Sequence, residues 1–294
     1  MRKLTVVVTC TQRKSLPIDP GLSVRELPVG SAEERSAAWS YRIRTADATR
    51  PLRDLYQGGS WALVPGLAAA ATAAGYSPRI LVASAGLGLR EVDSSAPAYG
   101  ATFSSGSDDV VGERTEHGAW WESLGELPGS LSPREALRGR VLLLLSAPYA
   151  SAMHQDLTAI GQRTGERLLV GGAAVIPGIT RLPADGALRS TLGGTNGSLI
   201  IRTATAWMQR LGSHDLTDEK AMSAWQTWAQ TTRRPETWDR KPQSDQAVRD
   251  FIRSLLRQNP STSRTRALRA LRDAGLACEQ QRFATIFTTV GREA

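Results

Sequence analysis

The 294-residue chain carries 36 Lys+Arg against 28 Asp+Glu, a net charge of +8, and all its cations but Lys3, Lys14, Lys220 and Lys241 are arginine. Arginine forks suit bidentate phosphate contacts, so this excess fits a nucleic-acid partner, although a GC-rich genome that favours Arg codons accounts for it equally well. Cys10 and Cys278 lie far apart with no CxxC or Cys/His spacing, which argues against a disulfide framework, a metal site and an oxidising compartment; with no apolar run near the roughly 18 residues a membrane span needs, the expectation is a cytoplasmic protein without membrane contact.

Four short apolar runs, residues 4–9, 79–84, 140–146 and 167–170, are bounded by turn or charged residues and have the pattern of strands buried on both faces. Helical stretches at 51–75, 113–124 and 150–161 fill the gaps, giving the strand–helix alternation of an open parallel sheet. A fifth run, 198–201, is expected as a strand leading into a helix through Trp207 and Leu211. These segments form an α/β domain over residues 1–212. Residues 213–243, with Trp225, Trp228, Trp238, Pro235 and Pro242, are expected as a helix and a linker that wraps the main domain.

Beyond it lies a basic three-helix unit, residues 244–294. Val248, Phe251, Ile252, Leu255 and Leu256 follow the i, i+3, i+4 rule, with Arg249, Arg253 and Arg257 on another face. Asn259-Pro260 breaks that helix, Ser261 or Ser263 caps a second one bearing Arg264, Arg266, Arg269 and Arg272, and Gly275 ends it. Phe283, Ile286, Phe287 and Val290 mark the face of a third. From Arg240 onward there are 11 Lys+Arg against 5 Asp+Glu, so most of the excess charge lies in the last fifth of the chain. Those four arginines are the candidate contacts to DNA phosphates.

In open parallel sheets ligands bind beyond the carboxyl ends of the strands. After the first strand comes Cys10-Thr11-Gln12-Arg13-Lys14, a polar turn able to hold a base or phosphate, or else an ordinary charged loop, since it lacks the glycines of a P-loop. After the second comes Ser84-Ala85-Gly86-Leu87-Gly88, where small residues permit close approach of a ligand to backbone; without a third glycine it is no dinucleotide fingerprint. Glu91 and Asp93 follow as carboxylates, and Tyr99 and Phe103 as rings able to stack on a planar ligand or to fill the core. Asp185, near Arg189 and Gly193-Gly194, either reaches the crevice or lies in a solvated turn. His117, His154 and His214 are scattered, and no GxSxG elbow occurs.

On the Cys10 to Lys14, Ser84 to Leu89 and Tyr99 to Phe103 segments, and on Leu55-Tyr56-Gln57-Gly58-Gly59-Ser60-Trp61 with one extra residue in its spacing, the chain resembles bacterial and phage proteins of the DUF6884 type. More distantly it is similar to the archaeosine synthase core and the uracil-DNA glycosylase superfamily, and as a whole it resembles anti-phage DNA glycosylases that remove glucosylated hydroxymethylcytosine. The resemblance implies a uracil-DNA glycosylase-like αβα sandwich with a C-terminal helical DNA-binding extension. It implies double-stranded, modified phage DNA as partner, a base flipped into the crevice, and hydrolysis to an abasic site without cofactor. Gln12 and Asp93 would then handle the water; Cys10, Thr11, Ser84, Gly86, Tyr99, Phe103 and Asp185 would hold the base; and Arg13 and Lys14 would grip phosphate, unless Lys14 is itself an amine nucleophile. The chain departs from uracil-DNA glycosylases in having no Asp beside Gln12 and no His near Gly171-Gly172. The alternatives are a transferase acting on a deazaguanine-like base in tRNA or DNA, and a DNA-binding regulator without activity.

Overall fold

The computed structural model describes residues 1–46, 50–235 and 240–293. It divides into two compact units, Met1–Arg234 and Pro235–Ala294, each with its own apolar core.

The first unit is built on a six-stranded sheet. Its strands are β1 (Arg2–Thr9), β2 (Tyr76–Ser84), β3 (Gly88–Glu91), β4 (Val141–Leu145), β5 (Arg167–Gly171) and β6 (Thr180–Leu182), in the spatial order β3-β2-β1-β4-β5-β6. All neighbours are parallel except β2 and β3. Helices flank the sheet, which is why β1, β4 and β5 are near-continuous runs of Val and Leu rather than alternating patterns. One set of helices comprises α1 (Ala32–Arg44), α3 (His117–Ser123) and α4 (Ala147–Ala152), with α5 (His154–Gly161) continuing from α4; the other comprises α2 (Val64–Ala73) and α6 (Leu199–Leu211). A Ser31/Glu34 capping box starts α1 and so orients Trp39, whose Nε1 donates to the Gly86 carbonyl at 2.8 Å. Trp120 of α3 donates likewise to Ala85 at 2.7 Å. Two buried indoles therefore hold the turn between β2 and β3.

The four apolar runs are strands β1, β2, β4 and β5. The fifth, 198–201, is corrected: it is the start of α6, because Leu199 and Ile201 continue into a helical face through Ala204, Trp207, Met208 and Leu211. The sheet gains β3 and β6 instead. β6 follows β5 by a short parallel connection that depends on a close backbone approach. A Cβ on Gly178, at φ +74, would lie 1.9 Å from the Gly161 carbonyl oxygen.

The helix expected after residue 212 is α7 (Glu219–Thr232), N-capped by Asp218. It packs on the first unit: Trp225 lies edge-on against Trp207 at 5.8 Å, Asp185 pairs with Arg233 at 2.9 Å, and the Arg234 amide donates to Ala187. Trp238 falls outside the described residues.

The second unit holds α8 (Asp245–Gln258), α9 (Arg264–Asp273) and α10 (Gln280–Glu293). Ser244 and Ser263 cap the first two, and Lys241–Pro242 pairs in parallel with Leu276–Ala277. Val248, Ile252, Leu271, Phe283 and Val290 form its interior. Among the described residues no helix is long and apolar enough to cross a membrane.

Gly178→Ala should cost about 3 kcal/mol, since both its backbone conformation and its packing exclude a Cβ. Thermal melting should drop by ~6–12 °C. Gly66→Ala, where a Cβ meets nothing within 4 Å, should leave melting unchanged or raise it slightly; equal behaviour of the two variants would refute the packing role of Gly178.

Candidate functional site

The strand order reverses at β1: β2 lies on one side and β4 on the other, so no single crossover covers the carboxyl ends of β1 and β4. Such a switch point leaves a crevice. A cavity of about 330 Å³ occupies it, at the lower end of the range for small-ligand sites. Thr9, Cys10 and Gln12 reach it from the end of β1, Ser146 and Tyr149 from the end of β4 and the first turn of α4, and Thr102 and Ser104 from the loop after β3. Asn196 and Ile200 close it from the turn into α6, and Trp61 from the turn before α2.

The polar groups around this space are two amides, a thiol and hydroxyls. No Asp, Glu, Lys, Arg or His is among the described residues lining it. Cys10 Sγ lies 3.1 Å from the Tyr149 hydroxyl, and burial, reinforced by Cys10, pushes that phenol well above its ordinary pKa. Tyr149 is therefore a neutral donor and acceptor. Such a cavity offers hydrogen bonds to the edge of a neutral planar ring and no counter-charge to a phosphate. The carbonyls of the Gln12 and Asn196 amides are able to orient a water. Among the described residues no group of three His, Cys, Asp or Glu is placed to hold a metal ion.

Behind the cavity lies a hydroxyl chain. Ser84 Oγ is 2.5 Å from Tyr99 Oη, which is 2.7 Å from Tyr56 Oη, and Ser84 Oγ also accepts from the amides of Gly86 and Leu87. Lys14 Nζ stands 4.4 Å from the centroid of the Tyr99 ring and donates to the carbonyls of Thr11 at 2.6 Å and Gln12 at 3.3 Å. Burial lowers its pKa, while Cys10 and Asp109 oppose that shift. Lys14 thus clamps the turn that presents Gln12.

The structure brings Cys10 and Gln12 together at the cavity and places the other expected residues elsewhere. Thr11 spans its own turn, donating to the Arg13 carbonyl at 3.0 Å, and the Arg13 side chain is exposed. Lys14 is committed to carbonyls and rings rather than free for phosphate. Tyr99 and Phe103 are 0 % and 2 % exposed, so neither ring has a face open to a base. Ser84 is consumed by the hydroxyl chain. A Cβ on Gly86 would meet the Tyr99 ring at 2.5 Å, so this glycine makes room for a tyrosine rather than a ligand. Asp93 is exposed and paired with Arg53 at 3.2 Å, outside the cavity lining. Asp185 caps the turn Gly186–Leu188 and anchors Arg233. Arg264, Arg266 and Arg269 are exposed on α9, whereas Arg272 is half-buried, its carbonyl accepting from Arg240 Nε. Missed from the sequence were Thr102, Ser146 and Tyr149, while Asn196 stood out only as part of the glycine-bearing stretch after Asp185 and carried no role. Ser146-Ala147-Pro148-Tyr149 directly follows a legible strand, so a search of every strand end would have reached two of them.

Raised phenol pKa values make the first unit alkali-sensitive. Burial raises Tyr56, Tyr99, Tyr149 and Tyr76 above the ordinary value near 10, so above that pH the unfolded chain binds fewer protons than the folded one and stability falls as pH rises. Lys14 acts in the opposite sense, as do Arg90 and Arg167, whose burial lowers values that start well above those of the phenols. The urea midpoint should hold to about pH 10 and decline above it, less steeply in Tyr149→Phe; a midpoint constant to pH 11 would contradict this. Comparisons with protein-family models, with curated proteins and with solved structures returned no match for this chain.

Proposed function

We propose that the chain is a DNA glycosylase that excises a modified base, glucosylated hydroxymethylcytosine as the first candidate, from phage DNA as an antiviral defence. The single observation behind this is the neutral polar cavity at the switch point, where a uracil-DNA glycosylase-like sandwich would receive an everted base. A neutral lining suits a base and rejects the phosphates on either side of it, which stay outside. Gln12 and Asn196 orient a water toward the sugar C1′. That water bonds to C1′ as the N-glycosidic bond breaks, the electron pair of the broken bond leaves with the base, and the water's proton passes to base or solvent. Hydroxyl donors of Thr102, Ser146 and Tyr149 stabilise the departing base as charge develops on it. Asp93, paired with Arg53, takes no part.

The arginines of α9 supply sequence-independent affinity for the phosphate backbone. Their exposure on a helix whose other face is occupied by Ala267, Leu268 and Leu271 favours that role.

Duplexes carrying cytosine, hydroxymethylcytosine, its glucosylated form or a deazaguanine should be incubated with the protein, followed by mass spectrometry of released base and by alkaline strand scission at abasic sites. Release from the glucosylated duplex with an abasic site is expected. Gln12→Ala and Asn196→Ala should each slow release about 100-fold, while Asp93→Asn stays within about twofold of wild type, as for an exposed residue outside the site. Base exchange without an abasic site would replace the glycosylase by a transferase, and binding without product by a regulator.

Separately, Arg266→Ala with Arg269→Ala should weaken DNA binding. The slope of log affinity against log salt should fall in magnitude by roughly one for each phosphate that is no longer neutralised; an unchanged slope would remove α9 from the DNA interface.

A further inference from the structure

At the sheet edge opposite the neutral cavity, two turns precede β4 and β5. One contains Arg138 and Gly139, the other Arg163, Thr164 and Gly165. They are packed backbone to backbone, since a Cβ on Gly165, at φ +129, would lie 2.5 Å from the Gly139 carbonyl oxygen, and a cleft of about 610 Å³ opens beside them, lined by Arg138, Gly139, Arg163, Thr164 and Arg167. Arg138 and Arg163 are exposed at its surface; one Nη of Arg163 donates to the Arg134 carbonyl, which anchors that guanidinium at the cleft and leaves its other N–H groups for a ligand.

Arg167 is different. It is 2 % exposed, and its two Nη atoms donate to the carbonyls of Arg163, Gly165 and Thr164 at 2.6, 3.0 and 2.8 Å. Its Nε is buried with no partner. Among the described residues no carboxylate lines the cleft, and the nearby Glu166 is engaged by Arg140 and by the amide of Leu216. Burial and the neighbouring Arg163 cation both disfavour the charge on Arg167. A guanidinium desolvated among carbonyl dipoles and beside a second cation lacks the anion that ordinarily offsets its burial.

We infer that the Arg138, Arg163 and Arg167 cleft is a second site, for a phosphoryl group. Arg138 and Arg163 are the contacting forks, and Arg167 supplies fixed positive charge from beneath while shaping the turn that carries Arg163. The cleft is larger than one orthophosphate requires, so it accepts a phosphoryl group bearing a substituent. This site does not depend on the glycosylase proposal: it lies at the amino ends of β4 and β5, whereas the neutral cavity lies beyond the carboxyl ends of β1 and β4.

Calorimetric titration of the full chain with pyrophosphate, and in a second arm with a short single-stranded oligodeoxynucleotide, tests it. Arg138→Gln combined with Arg163→Gln should lose at least about tenfold in affinity, a change of 1.4 kcal/mol. The Arg266→Gln, Arg269→Gln pair on α9 should retain pyrophosphate binding. Arg138→Gln alone, at an exposed side chain, should show an intermediate loss with wild-type melting, which separates lost binding from lost folding. Dependence on Arg138 and Arg163 in the pyrophosphate arm identifies a free phosphoryl ligand, and in the oligonucleotide arm alone a chain-borne one; both support the site. Wild-type affinity in the double variant for both probes, or no binding of either probe to wild type, would overturn it.

Discussion

The parallel pairing of β1 with β2 on one side and β4 on the other is the constraint from which the rest of the first unit follows. Val6 lies opposite Ile80 and Leu142, and Val7 opposite Leu81 and Leu143. Leu4, Val6 and Val7 are at most 1 % exposed. Each such side chain contributes about 1.5–3 kcal/mol by leaving water, and because both faces of the strand are packed, a one-residue slip would set every side chain against neighbours that do not fit it. Register is therefore held firmly, and with it the positions of Thr9 and Cys10 at the end of β1 and of Ser146 at the end of β4. The neutral cavity is a consequence of where two locked strands stop.

What surrounds that cavity explains why it stays neutral. Lys14, at the end of the turn that follows β1, is turned onto two carbonyls and the faces of Tyr99 and Tyr56, and the carboxylate expected nearby, Asp93, is held by Arg53. The tyrosine–serine chain behind the wall satisfies every hydroxyl it buries, which removes the cost that an unpaired polar group would carry there. Charge is kept for other surfaces: the exposed face of α9 and the arginine cleft at the opposite sheet edge. The proposed glycosylase would use this separation, with a neutral site for one base and exposed arginines for the phosphates on either side of it.

Much of the sheet was legible in the sequence, because strands buried on both faces must be continuous apolar runs and four of them were. β3 and β6 were not. β3 begins at a glycine and contains Arg90, and β6 is Thr-Arg-Leu, too short and too polar to stand out; Arg181 belongs there only because its guanidinium reaches the carbonyls of Gly171 and Gly172. Residues 198–201 misled for the converse reason, since four residues of Ser-Leu-Ile-Ile carry no period and the longer stretch through Leu211 decides for helix. The site was half legible. Cys10 and Gln12 follow from the rule that strand ends carry function, whereas Tyr99, Phe103 and Gly86 drew attention as a stacking crevice and are packing partners. Whether a ring faces solvent or another ring is set by long-range contacts, such as Trp39 against Tyr99 and Tyr149 against Phe103, which local pattern does not encode.

On the proposed function a planar base occupies the crevice between the ends of β1 and β4. Crystals of the protein soaked with nucleobases and nucleosides, hydroxymethylcytosine and its glucosylated nucleoside among them, test it most directly. Ordered density for a heterocycle is expected between Cys10, Thr102 and Asn196, with an amide or hydroxyl of the lining at its edge. Heterocycle density only at other surfaces, with this crevice holding nothing but solvent at saturating ligand, would contradict it.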